Sequence, residues 1–208
     1  MNLQQLGQKF ARLTTNAVVA NPRRWRFFRP LLRKQFDVVA PRWDTLRAPD
    51  SFAPFEAALA AVEPPPRRVL DLGTGTGTAA LLTARRFPDA EVVGADLSPQ
   101  MIEEARRKAA TDGAAIRFEV ADASRLPYDD ASFDLVTLAN MIPFFDELAR
   151  VVAPGGSAIF SFSRGPATPI YVPPERLRAE LERRRFTEFA DFAAGTGTAL
   201  LARKRDRA

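Results

Sequence analysis

Apolar positions change their period along this chain of 208 residues. Leu3, Leu6, Phe10, Leu13 and Ala17 fall at spacings of three and four, the repeat of an amphipathic helix. Asn21-Pro22 stops it. A second helical stretch covers 31–39, ahead of Pro41, and Phe52, Phe55, Leu59 and Val62 mark one face of a third. Pro64-Pro65-Pro66 closes this helical section as a stiff linker. Beyond it, short apolar runs alternate with helical stretches. Strands are expected at 69–72, 92–96, 116–120, 133–138 and 157–162. Helices are expected at 101–110 and 146–152, the latter breaking at Ala153-Pro154-Gly155-Gly156. Strand–helix alternation builds a parallel sheet covered on both faces. The end departs from it: a Pro-rich loop over 165–174, a charged helix over 175–185, then strands at 187–193 and 199–204 joined by 194–198. That last pair reads as an antiparallel hairpin. Two parts follow: a helical extension, residues 1–66, and an α/β domain, residues 67–208.

The first strand runs into Val69-Leu70-Asp71-Leu72-Gly73-Thr74-Gly75-Thr76-Gly77-Thr78. Glycine at every second position removes side chains where the backbone must turn tightly and approach a ligand closely. The helix that follows turns its free N–H groups toward that ligand. The dinucleotide fingerprint G-x-G-x-x-G needs glycine where Thr78 stands, and a phosphate loop needs a Lys that is absent here. A second run, Gly195-Thr196-Gly197-Thr198, echoes the first but lacks its upstream acid and third glycine, and reads as the hairpin turn.

Asp96 ends the second strand, a little over 20 residues past the first glycine, where an acid can accept from both hydroxyls of a ribose. Asp122 follows the third strand, Asn140 the fourth, and the passage through Pro154-Gly155-Gly156 leads to the fifth. D-x-G-x-G-x-G with these later motifs resembles the class I S-adenosylmethionine (SAM) dependent methyltransferases, in pattern the small ubiquinone/menaquinone-biosynthesis ("type 11") group, over about two thirds of the chain, 67–204. The resemblance implies a doubly wound, seven-stranded Rossmann-like sheet in the order 3-2-1-4-5-7-6, its last strand antiparallel, with the N-terminal helices as a lid. It implies SAM as cofactor and S-adenosylhomocysteine as product. Gly73, Thr74, Gly75 and Gly77 would form the cradle, and Asp71 would favour the cofactor's amino group. Asp96 would take the ribose, Asp122 the adenine amino group, and the Ala123 N–H the ring. Leu97 and Met101 would pack on the adenine or simply fill the core, and Asn140 would lie near the methyl group. Asn140 and the residues after it are similar to the N-P-P-Phe/Tyr motif of methyltransferases acting on nucleic-acid bases, but Met141 stands where proline is required. Phe144 and Phe145 are core or a substrate platform.

Composition narrows the chemistry. The chain has no Cys and no His, which excludes disulfides, thiolate nucleophiles and the commonest general base and metal ligand. No metal is expected. Candidates for a proton acceptor are Asp37, Asp44, Asp146 and Tyr171, and for substrate contacts Phe36, Trp43, Ser163, Arg164 and Tyr171. The net charge of +5 is uneven: residues 1–50 carry ten Lys/Arg against three Asp/Glu. The basic-aromatic segment 23–36 has three readings: an inward-facing lid, a membrane-surface contact, or a nucleic-acid contact, of which the last is not expected. No run is long enough to span a bilayer and no secretory pattern opens the chain, so a cytoplasmic monomer or homodimer is the expectation. The expected function is methyl transfer to a small apolar or aromatic molecule. The alternatives are a catalytically silent SAM-binding regulatory protein and an NAD-dependent oxidoreductase.

Overall fold

A computed structural model describes residues 3–46 and 51–206, with side chains from residue 7 onward. Seven strands form one sheet: β1 (Arg68–Leu72), β2 (Glu91–Asp96), β3 (Ile116–Val120), β4 (Phe133–Ala139), β5 (Val152–Phe162), β6 (Phe186–Ala194) and β7 (Gly197–Lys204). Their order is β3-β2-β1-β4-β5-β7-β6. β1 to β5 pair in parallel, and β7 runs antiparallel to both neighbours. The expected sheet and strand order are present.

Successive residues of each central strand feed two cores, as a sheet buried on both faces requires. Val69, Val92, Leu135 and Ile159 pack with α3 (Ala53–Ala60), α4 (Thr78–Arg86) and α5 (Pro99–Asp112). Leu70, Leu72, Val136, Leu138 and Phe160 pack on the other side with α6 (Phe145–Val151) and α7 (Pro174–Glu182). That second core also takes Val18 and Val19 of α1 (Leu3–Ala20) and Trp25 and Leu32 of α2 (Trp25–Val39). Phe144 and Phe145 are buried there too, as core.

Three boundaries differ from the sequence expectation. The second helix starts at Trp25, not at residue 31, and runs through Pro30. Pro30 lacks an N–H for the Arg26 carbonyl, but both residues are exposed, so water can take that oxygen. The expected break at 153–156 lies inside β5. Pairing jumps from Phe133↔Val152 to Leu135↔Ser157, a bulge that holds Gly155 at φ +73°. A Cβ on Gly156 would sit 2.8 Å from the Asp134 carbonyl oxygen. The hairpin is tighter than expected: Ala194 pairs with Gly197 around Gly195-Thr196, and Gly195 adopts φ +57°.

Candidate functional site

The carboxyl ends of β1, β2 and β3 meet at one edge. Gly73, Gly75 and Gly77 have φ of +65°, +55° and +81°. Such values cost an L side chain roughly 1–2 kcal/mol each. Gly77 opens α4, and the Thr74 N–H donates to the Ala95 carbonyl of β2. Thr74 itself points into the sheet, its Oγ1 2.8 Å from where a Gly94 Cβ would be. Asp71 is fully buried and accepts from Thr137 Oγ1 of β4 at 2.7 Å.

Asp96 ties the loop to the second strand. Its Oδ2 accepts from the Gly75 N–H at 2.9 Å and its Oδ1 from the Ser98 N–H at 2.8 Å. Burial raises its pKa, against the lowering effect of these backbone hydrogen bonds, and the Asp37 carboxylate nearby raises it further. The Leu97 N–H adds a third backbone bond, and a carboxylate has about four acceptor positions. Ser98 caps α5 through Met101 N, and Met101 is buried beneath that turn. Leu97 and Ala123 pack against the core under the N-terminal helices.

Those helices cross the edge and fasten to it. Asp122 Oδ1 accepts from Trp25 Nε1 at 2.9 Å and from the Ser124 N–H and hydroxyl. Its Oδ2 accepts from Arg29 Nη1 at 3.0 Å. Burial pushes this carboxyl up, but the bonds from Ser124, Arg29 and Trp25 outweigh that and hold it below the usual range. Ser98 Oγ donates to Asp37 Oδ1 at 2.6 Å, and Thr76 Oγ1 to Asp44 Oδ1 at 2.6 Å. Lys108 Nζ reaches Thr76, Thr78 and Asp44, at 3.1, 3.0 and 2.5 Å. Phe36 of α2 meets Trp43 edge to face at 5.7 Å within that cover.

At β4 and β5, Asn140 takes φ +55°, which Asn tolerates better than most residues. Its Oδ1 accepts from the Ser163 N–H at 3.0 Å. Met141 lies against Gly73, where an added Cβ would come within 2.7 Å of Met141 Cγ. Met141 thus borders the glycine cradle.

Two candidates stand apart. Asp146 is paired with Arg184 of the α7–β6 link at 2.7 Å, and its side chain is 81% exposed. Tyr171 packs edge to face on Phe162 and lines an apolar cavity of about 220 Å³ with Val172, Leu177 and Leu200. Burial, then the Glu175 charge, raises its pKa, which makes it a poorer proton acceptor than a free phenol. Arg164 is exposed at the same loop.

Trp25 and Arg29 fell in segment 23–36 of the sequence reading without a partner, and Lys108 escaped it. Trp25 and Arg29 are four apart, one turn of a helix, but Pro30 hid the helix that brings them together. Lys108 lies on α5, the second helix of the α/β domain, with no local signal of its target.

An adenosyl sulfonium needs a side-chain-free wall, a carboxylate for two ribose hydroxyls and an acceptor for the adenine amino group. The glycine cradle offers the wall. Asp96 offers a carboxylate whose acceptor capacity exceeds its bonds to the backbone N–H groups around it, and Asp122 Oδ2 holds a single donor. The residues present fit that group.

A family model described as "Methyltransferase domain" matches residues 69–156. A demethylmenaquinone methyltransferase of Thermus thermophilus is 45% identical over 136 residues, covering 60% of this chain and 62% of the relative. One of Deinococcus radiodurans is 41% identical over 152 residues, covering 67% and 63%. The chain thus spans less than two thirds of the length of these relatives. Among solved structures, the SpnF cyclase has a TM-score of 0.69 at 19% identity, covering 85% of this chain and 96% of its own. A SAM-dependent methyltransferase from Aquifex aeolicus has a TM-score of 0.64 at 17% identity, covering 79% and 97%. These two likenesses concern the fold alone, and the cyclase illustrates that fold does not fix the reaction. Neither the oxidoreductase alternative nor the silent one finds support in these matches. That likeness implies SAM as the cofactor and S-adenosylhomocysteine as its product. In its glycine cradle, its sheet order and these relatives, the chain is similar to the class I SAM-dependent methyltransferases, and residues 69–156 match a methyltransferase domain.

Proposed function

We propose that this protein transfers a methyl group from SAM to a small apolar or aromatic molecule. The observation that carries the reading is Asp96, a half-buried carboxylate bonded to the Gly75 N–H, under a cover that carries Phe36 and Trp43. In this reading Gly73, Gly75 and Gly77 approach the cofactor through backbone, Asp96 holds the ribose, and Asp122 Oδ2 accepts from the adenine amino group. Leu97, Met101 and the Ala123 N–H flank the ring. Asp71 acts through Thr137 and the strand end, and Asn140 keeps Ser163 and Met141 in position. Thr74 serves by folding the loop. Residues 1–66 extend the 67–208 domain: α1 and α2 as cover, α3 as support for the sheet.

When bound, SAM supplies a methyl group already activated on a sulfonium. The protein's part is to bind, orient and exclude water. Trp25, Phe36 and Trp43 close the edge from above. Asp37 and Asp44 are occupied by Ser98, Thr76 and Lys108, and Tyr171 holds its proton tightly. A substrate whose own acidity or electron-rich ring supplies the nucleophile suits such a site best. Relatives named demethylmenaquinone methyltransferases make a reduced quinone ring the first substrate to test. We place the reaction in the cytoplasm, in a monomer or homodimer.

The test is transfer of labelled methyl from SAM to a panel of reduced demethylmenaquinone, other hydroquinones and simple phenols. Labelled product with any of them is expected. SAM binding without transfer to any panel member would return the protein to a silent role.

A further inference from the structure

Six large apolar side chains are exposed among the described residues: Leu13, Phe27, Leu31, Val38, Leu46 and Val120. Scattered exposed hydrophobics need no explanation, but clustered ones do. Five of the six fall before residue 47. Three of them lie on α2, whose two faces are both apolar. Its inner face buries Trp25 and Leu32, with Phe28 and Phe36 half-buried against the same core. Phe27, Leu31 and Val38, at intervals of four and seven, share a stripe on the opposite side, 68%, 55% and 76% exposed.

Cations surround that stripe. The Arg26 guanidinium lies 4.6 Å from the centre of the Phe27 ring. Arg23, Arg24, Lys34 and Arg42 are exposed nearby in the chain, and among the described residues none of these five is in an ion pair. From 23 to 42 the chain has seven Lys/Arg and one acid, Asp37, which is turned inward onto Ser98. An apolar stripe ringed by cations on a surface helix fits an anionic lipid interface. A second copy of the chain would bring like charges face to face. Nucleic acid needs stacking platforms, and Leu31 and Val38 offer none.

We propose that the outer face of α2 docks this protein on an anionic bilayer, Phe27, Leu31 and Val38 entering the acyl boundary while Arg24, Arg26 and Lys34 meet the headgroup charge. The inner face of the same helix holds Asp122 through Trp25 and Arg29, so docking sets the cover against the lipid with the sheet edge directly beneath it. An apolar substrate dissolved in the bilayer then has a short path to the edge. The docking surface stands independently of the proposed reaction, and lipid binding is measured without turnover.

The experiment is co-sedimentation of the full chain with vesicles of phosphatidylcholine alone or mixed with phosphatidylglycerol, at low and high salt. Binding to the anionic vesicles, weakened by salt, is expected. Phe27→Ser/Leu31→Ser should weaken it about tenfold or more, and Arg26→Ala/Lys34→Ala should remove the preference for anionic lipid. Both double variants alter exposed positions only, and an unchanged melting temperature shows that they fold. Equal binding to both vesicle types, or full binding by the Phe27→Ser/Leu31→Ser variant, would overturn the proposal. So would a dimer that this variant abolishes, or an RNA oligonucleotide that displaces the protein from vesicles.

Discussion

The sheet edge and the helices that cover it meet over a few ångströms but are held by different forces. The edge is shaped by backbone: glycines at positive φ, the Thr74 N–H on Ala95, the Gly75 N–H on Asp96. The cover has apolar packing at Val18, Trp25 and Leu32, and its outer attachments are single side-chain hydrogen bonds to Asp122, Ser98 and Thr76. Half-exposed pairs such as Arg29–Asp122 contribute about 1 kcal/mol or less each. A geometry fixed by backbone resists change, whereas fastenings of this size break one at a time. That division leaves the glycine cradle more rigid than its cover.

The largest expected effect comes from breaking the edge. Asp96→Ala leaves the Gly75 and Ser98 N–H groups without their acceptor and removes the carboxylate's remaining acceptor capacity. SAM affinity should fall about tenfold or more, roughly 1.4 kcal/mol. Gly73→Ala adds left-handed strain and a Cβ 2.7 Å from Met141 Cγ, and should weaken binding alongside a lower melting temperature. Titration calorimetry reads both. Unchanged affinity in Asp96→Ala would take that carboxylate out of the site and leave the comparison without its rigid half.

A smaller effect separates edge from cover by pH. Asp96 has a raised folded pKa and Asp122 a lowered one. On acidification Asp96 takes its proton first. The folded state binds that proton more tightly than the unfolded chain does, so protonation there favours folding while it removes charge from the proposed ribose acceptor. Asp122 works the other way. The stability it lends is present above its unfolded pKa and is lost only as pH falls through its depressed folded value. SAM affinity should therefore decline at a higher pH than the one at which the cover loosens. Calorimetry follows the first event, and proteolytic cleavage within residues 7–46 follows the second. Arg29→Ala should raise the cleavage rate at neutral pH by severalfold, with a stability change under about 1 kcal/mol. Both events at one pH would mean that edge and cover move as a unit.

The same division decided what the sequence disclosed. Backbone-determined features leave marks at fixed local spacing. The run from Asp71 to Gly77 spelled out its own turn, and alternating strands and helices spelled out the sheet. The strand order came only through family resemblance. The cover depends on which side chains meet across 32 to 97 positions, the longest being Trp25 and Arg29 with Asp122, and no local pattern records that. Pro30 obscured even the helix that carries them, because a proline normally marks a boundary and here its cost falls on the solvent side. The placement of Asp146 was lost for a similar reason: its partner Arg184 lies 38 positions away.

The smallest effect tests where the site ends. Tyr171 and Asp146 belong to neither the edge nor its cover. Tyr171 sits against Phe162 beside the α7 cavity, with a pKa above that of a free phenol, so losing its hydroxyl removes no usable base. Asp146 is four-fifths exposed, and its pairing with Arg184 is screened by water. Tyr171→Phe and Asp146→Asn should each leave methyl-transfer turnover within about twofold and stability within about 0.5 kcal/mol. A steady-state comparison at several pH values distinguishes the outcomes. If Tyr171→Phe lowers turnover and flattens its rise with pH, the phenol is the proton acceptor. The reacting centre would then extend past β5 toward α7, and the rim from Asp71 to Asp122 would be only its cofactor half.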